Sequence, residues 1–427
     1  KAGSAVNIGS ANRKNSNALQ INTAEQIKGD LTVTNYDDKS GNNNAIVVPN
    51  VLQAAGNITL TNEEAGITVD SDASLSGVNV TLNSIKALNI NGNVHATNDA
   101  ILTSGESISV NGSVTASHDA SLTSGESMSV NGSVTASHDA SLSSGADLTV
   151  SGSVDAGNDA SLTANAALNI AKAGVVNAAN TAKLTAYEIA VAGNVTARNA
   201  IDMNSHAVTV DGIVETTNGT TTLTSTGDLT LSGAGFVKGN AVKVEAGNTF
   251  TQAGSTIETD AVTIDAQGNI LLSAGSLHAD NAKLLAGGYI DEDASDYDLQ
   301  VAQQLQLSAG GSNEAGVAIS LDSTQNKLYD VLLGDAQGDV LIGNGSSGNG
   351  RLSIQALANT NITGKLVVHN YNNLSGDDIG NNLRVIGSLQ ARDGIELIND
   401  ERDITMGSLT ATDIITSDGD IVIQAAN

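Results

Sequence analysis

The sequence predicts an all-β fold: a right-handed parallel β-helix, or β-solenoid, with about 20 residues and three short strands per coil. Three observations predict it. Residues 101–120, ILTSGESISVNGSVTASHDA, and 121–140, SLTSGESMSVNGSVTASHDA, are identical at 18 of 20 positions. Within each line the aliphatic residues come in pairs two apart, so that both members of a pair fall on one face of a strand. Between pairs stand dipeptides that favour corners.

Taken in order, each line yields the same elements. An Ala-x-Leu pair (Ala100 and Leu102, Ala120 and Leu122) is followed by a Ser-Gly corner at Gly105 or Gly125. An Ile/Met-x-Val pair (Ile108 and Val110, Met128 and Val130) leads to an Asn-Gly corner at Gly112 or Gly132. A Val-x-Ala pair (Val114 and Ala116, Val134 and Ala136) leads to a His-Asp corner at His118-Asp119 or His138-Asp139. Leu102, Ile108, Val110, Val114, Leu122, Met128, Val130 and Val134 are therefore the expected core, and the four glycines the expected corners, tolerant of positive φ. Apolar spacings of 2, 4 and 6 exclude a helical face. Aliphatics in identical columns argue for stacked copies rather than an antiparallel meander. A single coil buries too few aliphatics to offset the backbone entropy lost on ordering it, so stability must come from stacking.

The pattern continues with drift at Ile189 and Val191, Val208 and Val210, Val262 and Ile264, and Ile270 and Leu272. A 20-residue line repeated along the 427 residues would form about 21 coils, one continuous solenoid over 1–427 and a rod on the order of 100 Å long.

A longer echo overlies the short one. IKGDLTVTNYDDKSGNNN (27–44) resembles ITGKLVVHNYNNLSGDDIGNN (362–382), and LQAAGNITLTNEEAGIT (52–68) resembles LQARDGIELINDERDIT (389–405). VNIG at 6–9 likewise faces VLIG at 340–343. Residues 1–335 are read as one tandem unit and 336–427 as the start of a second. Loops are expected to project near 35–48, 291–298 and 370–382, with Asn35, Tyr36, Asn370 and Tyr371 as candidate contact residues. Without an initial Met or a signal sequence, the chain reads as a mature piece or an excised segment.

Composition narrows the function. Eighteen basic against 46 acidic residues give a net charge of −28, which disfavours nucleic acid. There is no Cys, and apolar runs such as AIVV are too short to span a membrane. Aromatic residues number only eight, with no Trp. A polysaccharide-active β-helix enzyme would need carboxylates clustered in an aromatic-lined cleft, and neither the short loops nor the scattered rings suggest one. No catalytic residue is assigned.

Candidate chemistry lies in acidic columns. Asp99, Asp119, Asp139 and Asp159 recur one coil apart, where neighbouring charges ~4.8 Å apart repel by roughly 0.9 kcal/mol in water. They are read as corner residues bonded to their own backbone, with a ladder of bound cations as the alternative. His118 and His138 are read as exposed corner residues, with a transition-metal pair as the alternative. The segment YIDEDASDYDLQ places Asp291, Glu292, Asp293, Asp296 and Asp298 together. Asp291, Asp293, Asp296 and Asp298 are weak calcium candidates, against a solvated acidic loop. No cofactor is otherwise expected.

The 20-residue line itself, as in ASLTSGESMSVNGSVTA and GDLTLSGAG (227–235), resembles the shaft of filamentous-haemagglutinin-like exoproteins. These are large surface adhesins that Gram-negative bacteria export by two-partner secretion. The resemblance covers most of the chain. It implies an extracellular, cell-surface filament that serves as an adhesin, a biofilm protein or the stalk of a contact-dependent toxin. The implied partners are other filaments and a host or bacterial surface receptor. The family's secretion domain carries an Asn-Pro-Asn motif, whereas the sole Pro here is Pro49, in VVPNV, so that domain is not within this piece.

Overall fold

Among the described residues of the computed structural model every regular element is a β-strand, and each pairs in parallel with a strand one coil away. The structure describes residues 6–10, 19–21, 26–36, 44–293, 297–345, 351–371, 382–400, 404–406, 415–417 and 421–425. The fold is the parallel β-solenoid that the sequence predicts. It divides into two compact units, Lys1–Ser205 and His206–Asn427.

In the first unit the repeated lines stack residue on residue. Leu82, Leu102, Leu122, Leu142 and Leu162 form one column, each paired with the next. Leu88, Ile108, Met128, Leu148 and Leu168 form a second, and Val94, Val114, Val134, Val154 and Val176 a third. All eight expected core residues are at most 2% exposed. Each coil here has three strands, such as Ala100–Ser104, Ile108–Val110 and Ser113–Ala116. In this unit the regular spacing of the repeated line runs from Leu82 to Leu162. Towards the start of the chain the coils are longer, for Val6 pairs with Leu31 and Leu31 with Ile58.

The second unit departs further from the sequence reading. Its strands run to 17 residues, as in Phe250–Ala266 and Ile270–Ala286, because the backbone ladder continues around a bend where the first unit has an Asn or His corner. Two of the expected strands thereby merge in Phe236–Ala246, and all three merge in Phe250–Ala266 and Ile270–Ala286. Coils also lengthen, so that Leu307 pairs with Leu333 and Leu352 with Leu383. Longer coils take up more chain per turn, and the solenoid has about 15 turns rather than the larger number that a uniform repeat predicts. Ile189, Val191, Val208, Val210, Val262, Ile264, Ile270 and Leu272 are all buried, as the drifting pattern predicts. Pairing continues through the 335/336 seam of the long echo, since Lys327–Ala336 is a single strand bonded to Tyr297–Ala309 and to Arg351–Ala356.

The corner glycines correct one expectation. Gly105, Gly112, Gly125 and Gly132 do not have positive φ; that conformation occurs at Gly233, Gly254, Gly275, Gly316, Gly338, Gly387 and Gly394, and at Asn359. They are required because the coil beneath comes too close. A Cβ at Gly132 would collide with the Gly112 carbonyl oxygen, one at Gly112 with Gly92, and one at Gly125 with Gly105. Gly132→Ala is therefore expected to cost about 1–3 kcal/mol in urea denaturation, the range for inserting a methyl group into a packed interior. Gly311→Ala, where the added carbon meets neighbours no nearer than 3.4 Å, should cost distinctly less.

Candidate functional site

The clearest polar construction in the first unit is its His-Asp corner. Asp99 Oδ1 accepts the Asp119 amide at 3.1 Å, Asp119 Oδ1 the Asp139 amide at 3.0 Å, and Asp139 Oδ1 the Asp159 amide at 3.1 Å. Asp159 Oδ1 continues the series to the Thr181 amide at 3.0 Å. The corner Asp thus bonds to the backbone of the following coil rather than to its own, because that amide lies only one strand spacing away. The residue before the next corner binds the same oxygen. Asn158 Nδ2 donates to Asp139 Oδ1 at 2.7 Å, and Asn180 Nδ2 to Asp159 Oδ1 at 2.6 Å. In two coils that residue is His.

His118 Nδ1 lies 2.9 Å from Asp99 Oδ1 and 3.2 Å from Asp119 Oδ2. His138 Nδ1 lies 2.8 Å from Asp119 Oδ1 and 3.4 Å from Asp139 Oδ2. The rings stack with centroids 4.9 Å apart and planes within 5°. Burial pushes the Asp119 carboxyl up, but the His138 hydrogen bond, the Asp139 amide and the two imidazoles together hold it below its ordinary value. The Asp119 hydrogen bond raises His138 above its ordinary value, outweighing desolvation. Among the described residues, His118, Asp119 and His138 alone form a group of three or more potential metal ligands, their ligand atoms all within 4.8 Å.

Much of the acidic segment lies in strands. Ile290–Glu292 and Tyr297–Ala309 are strands, and only residues 294–296 between them, including the calcium candidate Asp296, lie outside the described residues. Asp298 Oδ2 is engaged by His278 Nε2 at 3.1 Å and by Gln300 Nε2 at 2.8 Å. Strand alternation points Asp291 outward and Glu292 inward, so Asp291, Asp293 and Asp298 do not converge as a calcium site would require. Burial pushes Asp291 above its ordinary value.

The inward polar groups are not evident from the sequence. Tyr297 is fully buried and donates its hydroxyl to Gln252 Oε1 at 2.7 Å. Glu292 is 5% exposed; its Oε2 accepts Asn326 Nδ2 at 2.9 Å, while Glu292 Oε1 and Asn326 Oδ1 have no hydrogen-bond partner among the described residues. Burial pushes the Glu292 carboxyl up to about 7, with Asp322, Asp291 and Asp298 adding to the rise and the Asn326 hydrogen bond opposing it. The available signal is position: Glu292 sits two residues after Ile290, on the same face.

The contact-loop residues divide. Asn35 and Asn370 point inward, at 2% and 0% exposure, and do not project. Asn35 Nδ2 donates to Asn62 Oδ1 at 3.0 Å. In the second unit, Asn344 Nδ2 donates to Asn370 Oδ1 at 2.8 Å and Asn370 Nδ2 to Asn399 Oδ1 at 2.9 Å. The long echo therefore marks two buried Asn ladders, which satisfy inward amides at the end of an aliphatic strand. Tyr36 is exposed, whereas Tyr371 is partly covered and donates to Asp322 Oδ1 at 2.6 Å. The segments that follow, 37–43 and 372–381, lie outside the described residues.

A surface groove of about 390 Å³ in the second unit is lined by Glu258, His278, Asp280, Gln300, Lys327 and Tyr329, among others. Its carboxylates are committed to neighbours: Glu258 pairs with Lys238 at 3.0 Å, and Asp280 accepts Gln303 Nε2 at 3.3 Å. Among the described residues no helix is long and apolar enough to cross a membrane. Comparison with protein-family models, curated proteins and solved structures found no match to this chain.

Glu292 sets a pH dependence. Its folded value, about 7, lies above the value near 4.5 that it has when exposed. Between those values the folded chain holds a proton that the unfolded chain has released, so stability falls as pH rises through the window, by up to roughly 3 kcal/mol. Denaturation followed by circular dichroism from pH 4.5 to 8 should show this slope. Glu292→Gln, neutral throughout and able to donate to Asn326, should flatten it and be the more stable form at pH 8.

Proposed function

We propose that this chain is part of the shaft of a long extracellular bacterial filament, structural and adhesive in role, that presents surface segments to other filaments or to a cell surface. The observation that carries the reading is the in-register stacking of near-identical coils, with Leu, Ile and Val columns inside and Ser, Thr, Asn and Asp outside. A solenoid of this kind gains stability with each added repeat and offers a long, polar lateral surface. The excess of acidic residues favours solubility and disfavours anionic partners. Tyr36, exposed beside the 37–43 segment, is the contact residue that best fits this role.

The resemblance of the repeated line to filamentous-haemagglutinin-like shafts supports the same placement and the cell surface as location. It fits equally a shaft that carries a toxin beyond this piece. Negative-stain electron microscopy of the native protein is expected to show thin fibres, and the chain immobilised on beads is expected to retain intact cells in a Tyr36-dependent manner. Compact particles that release reducing ends from polysaccharides would instead make the chain an enzyme and overturn this reading.

A further inference from the structure

We propose that His118, Asp119 and His138 form a binding site for a borderline divalent transition metal such as Zn²⁺ or Ni²⁺, held by the two imidazoles and the carboxylate between them. A simpler side chain would meet the structural need at these positions. The residue before the corner has only to donate to the oxygen one coil back. Asn98 does so at 2.9 Å, Asn158 at 2.7 Å, Asn180 at 2.6 Å and Asn199 at 2.8 Å. The corner therefore does not require imidazole, yet two imidazoles occupy consecutive coils, stacked on one another with both Nδ1 atoms against a shared carboxylate.

The geometry suits an ion. The Asp119 oxygens lie 3.2 Å and 2.8 Å from the two ring nitrogens. Those separations involve different oxygens, Oδ2 and Oδ1, so a small turn of the carboxylate is needed to set one oxygen at the ~3.3 Å ligand spacing of a tetrahedral ion with bonds of about 2.0 Å. The ligand atoms lie within 4.8 Å overall, so the two rings need only tilt toward one another. Both side chains are about half exposed, at 52% and 48%, and free to do so. On binding, the ion takes the place of the proton that each Nδ1 shares with a carboxylate, that proton moves to Nε2 or to water, and Asp99 and Asp139 remain beside the site as charge. Water completes the coordination.

The electrostatic surroundings favour a cation as well. Between Lys86 and Lys172 there is no Lys or Arg, while Asp99, Glu106, Asp119, Glu126, Asp139, Asp147, Asp155 and Asp159 all fall in that interval. This stretch attracts a cation without supplying one. Imidazole in the set selects against Ca²⁺ and Mg²⁺, which prefer all-oxygen ligands.

Isothermal titration of the full chain with Zn²⁺ tests the proposal. One saturable site is expected, with His118 and His138 protected from diethylpyrocarbonate when it is filled. The H118N/H138N variant keeps the ladder bonds that Asn makes in neighbouring coils, so its circular dichroism should be unchanged while its Zn²⁺ affinity falls about 10- to 100-fold or more. The single H138N variant should fall in the same direction. Equal binding by the double variant, equal competition by Ca²⁺, or no saturable binding by the wild-type chain would each overturn the site.

Discussion

Parallel backbone pairing sets each residue over its counterpart one coil away, and every other feature of the molecule follows from that register. It turns a weak local pattern into a continuous core. Leu102 alone is one aliphatic group on a short strand; between Leu82 and Leu122 it is covered on both sides and fully buried. The same register is also a restriction. Whatever a residue does, it does beside its equivalent in the next coil, about one strand spacing away. Apolar side chains gain from this, amides can use it, and charges must find a partner to tolerate it.

The polar columns show how that restriction is met. Inward Asn residues hydrogen-bond to one another, as Asn344, Asn370 and Asn399 do, because an amide carries both a donor and an acceptor. Inward Ser turns its hydroxyl onto a carbonyl instead: Ser104 on Lys86 at 2.6 Å, Ser144 on Glu126 at 2.6 Å. A carboxylate has no donor, so the outward Asp column borrows one from the next coil's amide and another from the Asn or His before it. Glu292 is buried against an amide rather than a cation, and its surroundings favour the protonated form. Amide and imidazole are thus alternative answers to one problem, the stacking of like groups, whereas Glu292, set over Leu272, answers burial with a proton.

Much of this is legible in the repeated lines, where period-two pairs and recurring corners leave little choice of fold. Legibility fades where the line drifts. The merged strands of Phe250–Ala266 and Ile270–Ala286 are hidden, because a bend that keeps its backbone ladder reads in sequence like a corner that breaks it. Asn35 and Asn370 have the look of loop residues because Asn-Tyr followed by polar residues has loop composition. Each nevertheless ends a Leu-x-Val-x-Asn stretch, which carries the alternation of Leu31 and Val33, or of Leu366 and Val368, onto the Asn and places it on the core face.

The coil, its core columns and its acidic character can be read from the chain alone, since period and composition act on each residue through its near neighbours. Which polar groups meet across coils cannot. The stack sets Asp119 between two imidazoles, turns Glu292 inward beside Asn326, and makes Gly132 indispensable through the carbonyl of Gly112. Those contacts join positions far apart in the chain at distances of a few ångströms, and only the register of successive coils brings them together.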